Sequence, residues 1–494
     1  MTSERPISSS RPPIGRRNFF QQVGGGIFAT ALASVLNDDL YSGVVAGGNA
    51  ETHSPPHTND LAPRKPHFAP RARSVIQLFM NGGPSQMDLF DPKPELRKRH
   101  GQHYFDKISG EVENPAQAGT LMRSPFRFAQ HGECGMWVSE IMPHLAKRVD
   151  DITLIRSMHT VNITHEPSIY MIQSGRMLPG LPTMGAWVTY GLGTENRNLP
   201  AYVVLDDPKG LPVNGTQNWQ AGFLPPICQG TRFRSTGSPV LNLKREFDEP
   251  NAITQLEDDL RAGLDRLHRN RRPRQPRLGA RISSYELAAR MQLNATNALD
   301  LSQESRGTQA MYGVDEPTTE SYGRRCLMAR RLVERGVRFV QLFINGQIWD
   351  NHSRIATSLK SACDRTDKPI AGLLADLKQR GLLDETLVLW GGEFGRLPIS
   401  QVPAGNEKNA GRDHNKRAMC AWMAGGGVKA GFTYGATDEL GFAAAEKTVR
   451  VNDWHATVLH LLGMDHRQLV FHRNGLDERL TGVARADVIK DILA

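Results

Sequence analysis

Six short runs of apolar and β-branched residues punctuate the chain, at Ser74–Met80, Ile152–Ile155, Ala201–Leu205, Val337–Ile344, Thr386–Trp390 and Ala418–Ala424. Strands that are apolar on both faces need cover on both faces. Helices packed on either side of a sheet supply it, so the pattern predicts an α/β fold with a mostly parallel sheet. Helical periodicity falls at Tyr322–Arg335, Pro369–Arg380 and Trp454–Leu462, and Gly336 and Gly381 stand where the first two should end in left-handed caps. Residues 210–320 break the alternation. They carry two long helical stretches, Ala252–Leu267 and Ser283–Leu299, and read as a helical excursion. A length of 494 residues accommodates one large domain with such an insertion, or two domains.

In a sheet of this kind ligands gather beyond the C-terminal ends of the strands, because the loops there converge on one rim. Four polar clusters follow strands in this way. Asn81-Gly82-Gly83-Pro84-Ser85, running on to Asp88 and Asp91, follows the first; "RSMHTVNITHEPS" follows the second. "NGQIWDNH" follows Val337–Ile344, and Glu393 and Arg396 follow Thr386–Trp390, with Arg412, Asp413 and His414 beyond a loop.

The N-terminus has a separate grammar. Arg16-Arg17-Asn18-Phe19-Phe20 precedes a mildly apolar, Gly- and Ala-rich stretch, which predicts a twin-arginine export signal within residues 1–46 and a periplasmic or extracellular destination. Residues 47–72, rich in Pro, His and Asn, read as a disordered lead into the fold at 73–484. No apolar run of membrane-spanning length occurs beyond the N-terminal region, so no span is expected in the mature chain. The five cysteines show no CxxC spacing, and most read as buried small apolar residues. The net charge of +9 is concentrated in "RLHRNRRPRQPRLGAR" at Arg266–Arg281, which has no interleaved aromatics. Specific nucleic-acid binding is not expected from it; a solvated hinge or a polyanion-facing loop is.

The strand-end residues carry the chemistry. Asp350 and His352 lie two apart and share a face if the chain is extended, and Asp413 adjoins His414. Carboxylate and imidazole together suit zinc or manganese better than calcium, so the set points to a divalent metal that polarises an ester oxygen or activates water. Taken singly, each residue has a plainer reading: a hydrogen-bonded structural histidine, an Asp413 turn cap, a Glu393–Arg396 ion pair. Their recurrence at four strand ends favours a joint site. "AGGGVKAGFTYGATDE" lacks the features of a phosphate-binding loop and reads as a tight connection needing positive φ.

"GLLDETLVLWGGEFGR" resembles the "GLLDNTLVVFTSDHG" type of segment in sulfatases and other members of the alkaline phosphatase superfamily. Residues 74–484 as a whole resemble the bacterial, sulfatase-like domain-of-unknown-function family 1501, through "NGGPSQMDLFDPKPELR", "WDNH", "GGEFGR", "GRDHN" and "AGGGVKAGFTYGATDELG". The resemblance implies an alkaline phosphatase-like core. In "HEPSIYMIQSGR", Pro167, Ser168, Gly175 and Arg176 keep the register of the sulfatase signature, but His165 stands in place of the nucleophilic Cys and Ile169 in place of the Arg. A formylglycine sulfatase is thereby excluded. Three roles stay open for His165: an unusual nucleophile, a metal ligand or general base, or a relic of lost catalysis; the second is preferred, with Thr164 and Ser168 as reserve nucleophiles.

The same resemblance implies metal ligands at Asn81, a weaker donor for which Asp88 substitutes, and at Asp350, His352, Glu393 and His414; Asp413 joins them as the neighbour of His414. Phe394 replaces one histidine of the superfamily pattern. Arg396 and Arg412 would hold the anion, since a guanidinium fits a tetrahedral oxyanion. The expected function is an exported metal-dependent hydrolase of small phosphate or sulfate esters, or of polysaccharides bearing them. The alternative is a catalytically silent protein that recognises an anionic glycan or a protein partner.

Overall fold

All six apolar runs form strands, and all six join one sheet. The computed structural model describes residues 61–236, 250–272, 275–401 and 409–494. The strands that matter here are β1 (Ser74–Phe79), β2 (Ala118–Leu121), β3 (Ile152–His159), β4 (Tyr202–Leu205), β5 (Thr231–Phe233) and β6 (Phe339–Leu342). They continue with β7 (Thr386–Gly391), β8 (Gly395–Gln401), β9 (Arg412–Asn415), β10 (Met419–Ala424), β11 (Phe432–Tyr434) and β12 (Val449–Arg450). The helices are α1 (His165–Ser174), α2 (Met184–Leu192), α3 (Asn251–Asn270), α4 (Pro276–Leu299), α5 (Glu320–Glu334), α6 (Ile355–Gln379) and α7 (Val451–Leu461).

Nine strands make the central sheet, in the order β11-β3-β10-β7-β1-β6-β4-β5 with β12 added to β3. The pairings of β1 with β6 and β7, and of β4 with β5 and β6, are parallel. Only β10 runs against its neighbours β3 and β7. The α/β architecture with a mostly parallel sheet is therefore as expected. In β1 the side chains alternate faces: Ile76 and Leu78 join the core beneath α5 and α6, Val75 and Phe79 the core beneath α1, α2 and α7. All six β1 residues are buried, which is what a strand covered on both sides requires.

Several expectations need correction. The 210–320 segment is not purely helical, because Thr231–Phe233 pairs with β4 and becomes the sheet edge. Pro369 does not start a helix. It sits inside α6, whose earlier turns bury Ile355, Leu359, Ala362 and Cys363, and that burial outweighs the backbone bond that Pro369 cannot donate. Residues 61–72, read as the end of a disordered lead, lie against the body, with Phe68 N–H donating to Gly463 O and Arg71 N–H to Leu461 O. The export signal and the rest of the lead, residues 1–60, lie outside the described residues.

The Gly-rich connection after β10 does use positive φ, at 68°, 56° and 87° for Gly425, Gly426 and Gly427. A Cβ on Gly425 would lie 2.1 Å from the Leu383 carbonyl oxygen, so only glycine fits. Four of the five cysteines are buried and all five are free thiols. Among the described residues no helix is long and apolar enough to cross a membrane.

His455 on α7 is fully buried and its Nε2 donates to the Ile172 carbonyl oxygen at 2.8 Å. Burial pushes the imidazole down from its ordinary 6.5 to about 4, although the Ile172 carbonyl favours the protonated form. The unfolded chain takes up this proton below about pH 6.5 and the folded chain does not until about pH 4. Stability is therefore lost as pH falls through that window, by about 3 kcal/mol in all. Urea denaturation at pH 7 and pH 4.5 should show a drop for wild type that is about 2–3 kcal/mol larger than for His455→Gln, which cannot take up that proton.

Candidate metal centre

The strand ends meet because of direction. β1, β3, β6 and β7 all run the same way, so the segments leaving them open on one rim. β10 is antiparallel, so it is its beginning that lies on that rim. The hairpin β8–β9, which leads into β10, is carried there with it, and Arg396 pairs with His414 in its register. β2 completes this small side sheet, with Leu121 opposite Ile399.

Asp350 is the centre of the arrangement. His352 Nε2 lies 2.8 Å and His414 Nε2 3.2 Å from Asp350 Oδ1, while His165 Nε2 lies 3.4 Å from Oδ2. Two of the imidazoles are hydrogen-bonded from behind through Nδ1, and the third faces a carboxylate there. His165 Nδ1 is 2.7 Å from Glu393 Oε1, His414 Nδ1 is 2.6 Å from Glu113 Oε2, and His352 Nδ1 bonds to Gln401 Oε1. An acceptor at Nδ1 keeps a proton there and turns Nε2 inward toward Asp350, where a cation would take the place of the Nε2 proton.

The charges respond to this crowding. Burial would raise the Asp350 carboxyl, but His165, His352, His414 and the Arg396 guanidinium hold it far below the usual range. Burial would lower His165, yet bonds to Asp350 and Glu393 raise it to about 9. Glu113 is lowered chiefly by its bond to His414.

A divalent cation fits this donor set. Ligand atoms of His165, Asp350, His352 and His414 all lie within 4.8 Å of one another. A tetrahedral zinc site needs donors about 3.4 Å apart, so small side-chain adjustments suffice. Two buried acceptors at the border, Asn81 Oδ1 and Glu393 Oε2, have no hydrogen-bond donor. Three imidazoles with one carboxylate are donors of the kind divalent transition metals accept.

The residues expected at the site divide into three groups. Asp350, His352, His414 and His165 converge. Asn81 and Glu393 border them: Asn81 Nδ2 donates to Ile344 O at 2.7 Å, and Glu393 Oε1 accepts from Gly82 N–H at 2.9 Å. The rest are elsewhere. Asp88 is not a ligand but the partner of Arg412, whose Nε donates to Asp88 Oδ2 at 2.6 Å with both side chains wholly buried. Arg412, spent on Asp88 and the Met122 carbonyl, is no anion receptor. Arg396 is equally enclosed, donating to the carbonyls of Gly82, Gly83 and Arg412 and to Asp350 Oδ1 at 2.5 Å. Asp413 accepts the N–H groups of Glu113, Asn114 and His414, so it clamps a turn, although with Glu113 and His414 it makes a second acid–imidazole group.

Glu113 and Gln401 escaped notice in the sequence. Glu113 lies in "GEVENPAQAG", which follows no apolar run, and Gln401 ends a strand that belongs to the side sheet. The reserve hydroxyls are occupied: Thr164 Oγ1 donates to Asn162 Oδ1 at 2.5 Å and Ser168 Oγ to Asn162 O at 2.9 Å. Phe394 packs against two of the histidines, with ring centroids 4.9 Å from His165 and 4.4 Å from His414.

Residues 72–493 match the family described as protein of unknown function (DUF1501). The chain belongs to that family. Among solved structures the DUF1501 chain is similar to the lipoteichoic acid synthase LtaP from Listeria monocytogenes, at 10% identity over 84% of this chain and 76% of that one, with a TM-score of 0.35. It is similar also to the PsFucS1 sulfatase from Pseudoalteromonas sp., at 12% identity over 80% and 68% of the two chains and a TM-score of 0.35. A third likeness is to a mutant of TAB5 alkaline phosphatase, from an Antarctic bacterium, at 11% identity over 80% and 99% with a TM-score of 0.33. Among curated proteins none matches the DUF1501 chain.

Two measurements check this geometry. Arg412→Met leaves the buried Asp88 charge unpaired and should cost about 3–5 kcal/mol in chemical denaturation, most of it recovered when Asp88→Leu is added. Glu113→Ala removes the acceptor behind His414 and should weaken zinc binding by about 10–100-fold in competition with a chromogenic chelator, without moving the unfolding midpoint of the metal-free protein by as much as Arg412→Met does.

Proposed function

We propose that this chain is an exported, metal-dependent hydrolase of phosphate or sulfate esters, with anionic polysaccharides among its substrates. The observation that carries the reading is the convergence of three Nε2 atoms on Asp350, with Glu393 and Gln401 hydrogen-bonded to two of the rings at Nδ1 and the Glu113 carboxylate facing the third. A purely structural cluster has no need of three imidazoles turned the same way. A divalent ion held there would supply Lewis-acid polarisation of the ester oxygen and a more acidic water.

The chain's own residues supply the rest. Arg396 anchors Asp350, and Asp350 sets the spacing of the three rings. His165 has Nδ1 engaged by Glu393 and Nε2 facing Asp350, which suits a ligand or a proton-handling group better than a free nucleophile. With Thr164 and Ser168 occupied as well, water is the attacking species this reading requires. Side-chain exposure rises from 3% at His414 through 12% at His165 to 31% at His352, so the ester approaches from the His352 side. Gln401 and Gln117 stand there, their amides joined at 3.2 Å, and hydroxylated sugars are natural partners for such groups. Export rests on Arg16-Arg17-Asn18-Phe19-Phe20, and a twin-arginine passenger folds, and can load its metal, before transit.

One observation favours the silent alternative: Phe394, an apolar ring, lies on His165 and His414 where the resembling enzymes carry a further histidine. The experiment that separates the two is elemental analysis of protein purified without chelators, alongside hydrolysis of aryl phosphate and aryl sulfate esters. One equivalent of zinc or manganese, lost in His352→Ala and His414→Ala together with ester hydrolysis, is the expected result. Stoichiometric metal without hydrolysis of either ester would leave the binding protein standing. No metal, and no effect of the two substitutions, would overturn both the metal site and the hydrolase.

A further inference from the structure

A second cavity opens on the rim that carries the metal centre. Asp207 follows β4, Ile344 and Asn345 follow β6, and both strands run parallel with β1. These residues line a cavity of about 420 Å³, together with Tyr322 of α5 and Arg365 of α6. That volume is within the range of small-molecule sites. The segment Ile344–Gly346 belongs to both sites: Asn81 Nδ2, at the border of the metal centre, donates to the carbonyls of Ile344 and Gly346, while Asn345 lines the cavity.

The charged groups of the lining divide into spent and free. Arg325 is spent, because its Nη2 donates to Asp207 Oδ2 at 3.1 Å, its Nε to the Ser321 carbonyl oxygen at 3.1 Å and its Nη1 to the Phe343 carbonyl oxygen. Asp207 Oδ1 in turn accepts the Lys209 N–H at 3.0 Å, so this buried pair fixes the turn on which Lys209 stands. The Lys209 ammonium and the Arg365 guanidinium have neither an ion pair nor a hydrogen bond among the described residues. With Asp207 and Arg325 cancelling, the lining keeps two positive charges, which favours an anion.

Tyr322 gives an independent sign of a ligand. The side chain is 3% exposed, and its hydroxyl has no hydrogen-bond partner. A buried hydroxyl left unpaired is costly, and one on a residue that lines a cavity points to an occupant that completes it. Thr318, Ser321, Asn345 and Ser361 add hydroxyl and amide groups to the walls. The lining has one aromatic ring, and the Arg325 guanidinium already lies over it at 5.3 Å from the centroid, which disfavours a stacked nucleobase. Free cations, an unpaired phenol and polar walls suit a hydroxylated ring that bears an oxyanion.

We propose that this cavity binds a sugar unit esterified with sulfate or phosphate, held by Lys209, Arg365 and the Tyr322 hydroxyl. The proposal rests on the reading of the rim as a site for anionic polysaccharides: a polymer lying along it presents one ester to the metal centre and another unit to the cavity.

The test removes the metal centre so that the two sites are read apart. In the full chain carrying His352→Ala and His414→Ala, calorimetric titration with galactose 6-sulfate and galactose 6-phosphate should show saturable binding of at least one, about tenfold or more tighter than galactose or the inorganic anions. Adding Lys209→Ala with Arg365→Ala should weaken that binding by about tenfold or more, with circular dichroism unchanged because both side chains are exposed. Tyr322→Phe should also weaken it. A sugar ester that binds this chain while the wild type hydrolyses no aryl ester would sink the hydrolase and leave the cavity standing. Binding of neither sugar ester, equal binding of galactose or of inorganic sulfate and phosphate, or binding indifferent to Lys209→Ala with Arg365→Ala or to Tyr322→Phe would each overturn the proposal, whatever the wild type hydrolyses.

Discussion

Arg396 is a cation from which water is excluded, and the candidate site hangs on how that charge is met. Its guanidinium is wholly buried and donates to the carbonyls of Gly82, Gly83 and Arg412 before it reaches Asp350. A buried guanidinium costs several kcal/mol unless all of its donors are used and its charge is balanced. The three carbonyls satisfy the donors, and Asp350 balances the charge. Asp350 is thus fixed by the core, not by the solvent-facing loop on which it sits, and the three histidines take their bearings from a carboxylate that cannot drift.

That arrangement depends in turn on two backbone devices. Gly82 and Gly83 have φ of 115° and 75°, which turns their carbonyls toward Arg396 and presents the Gly82 N–H to Glu393. A side chain at Gly83 would meet the Phe394 ring at 2.6 Å, so the turn and the ring are mutually exclusive with any larger residue there. The second device is the antiparallel β10. Were it parallel to β7, its beginning would lie at the opposite edge of the sheet, and Asp413 and His414 would be a strand length away from Asp350. The one reversed strand therefore completes the cluster.

Much of this was legible in the sequence because it is local. Apolar runs of four to eight residues gave every strand of the sheet's middle, and the polar segments after them contain all four converging residues. What could not be read is which charges meet. Arg396, Arg412, Asp88 and Asp413 have the same composition as a catalytic set, yet pair with one another or with backbone, and pairing is a property of the folded core. Glu113 was invisible for a related reason: it reaches His414 across some 300 positions from a segment with no periodicity of its own. The start of α6 was misplaced because Pro369 is a strong local signal for a boundary, and core packing overrode it.

The burial of both arginines leaves the question of what would attract an anion, and a charge count answers it. Asp350 and Glu393 contribute two negative charges in contact with His165, and Arg396 offsets one. Glu113 stands behind His414 as Glu393 stands behind His165, and contributes a third. A divalent ion among neutral imidazoles would bring the total to zero, so the pull on an anion would come from the ion's own local charge. On the proposed reading, then, anion preference needs no exposed guanidinium. Phe394 sharpens the same point. A further histidine at that position would extend the donor set, whereas the phenyl ring offers no ligand atom and packs, tilted at 42° and 40°, against two of the three rings. The phenyl ring thus lines the His165 and His414 side of the cluster, and His352 is its most exposed ring.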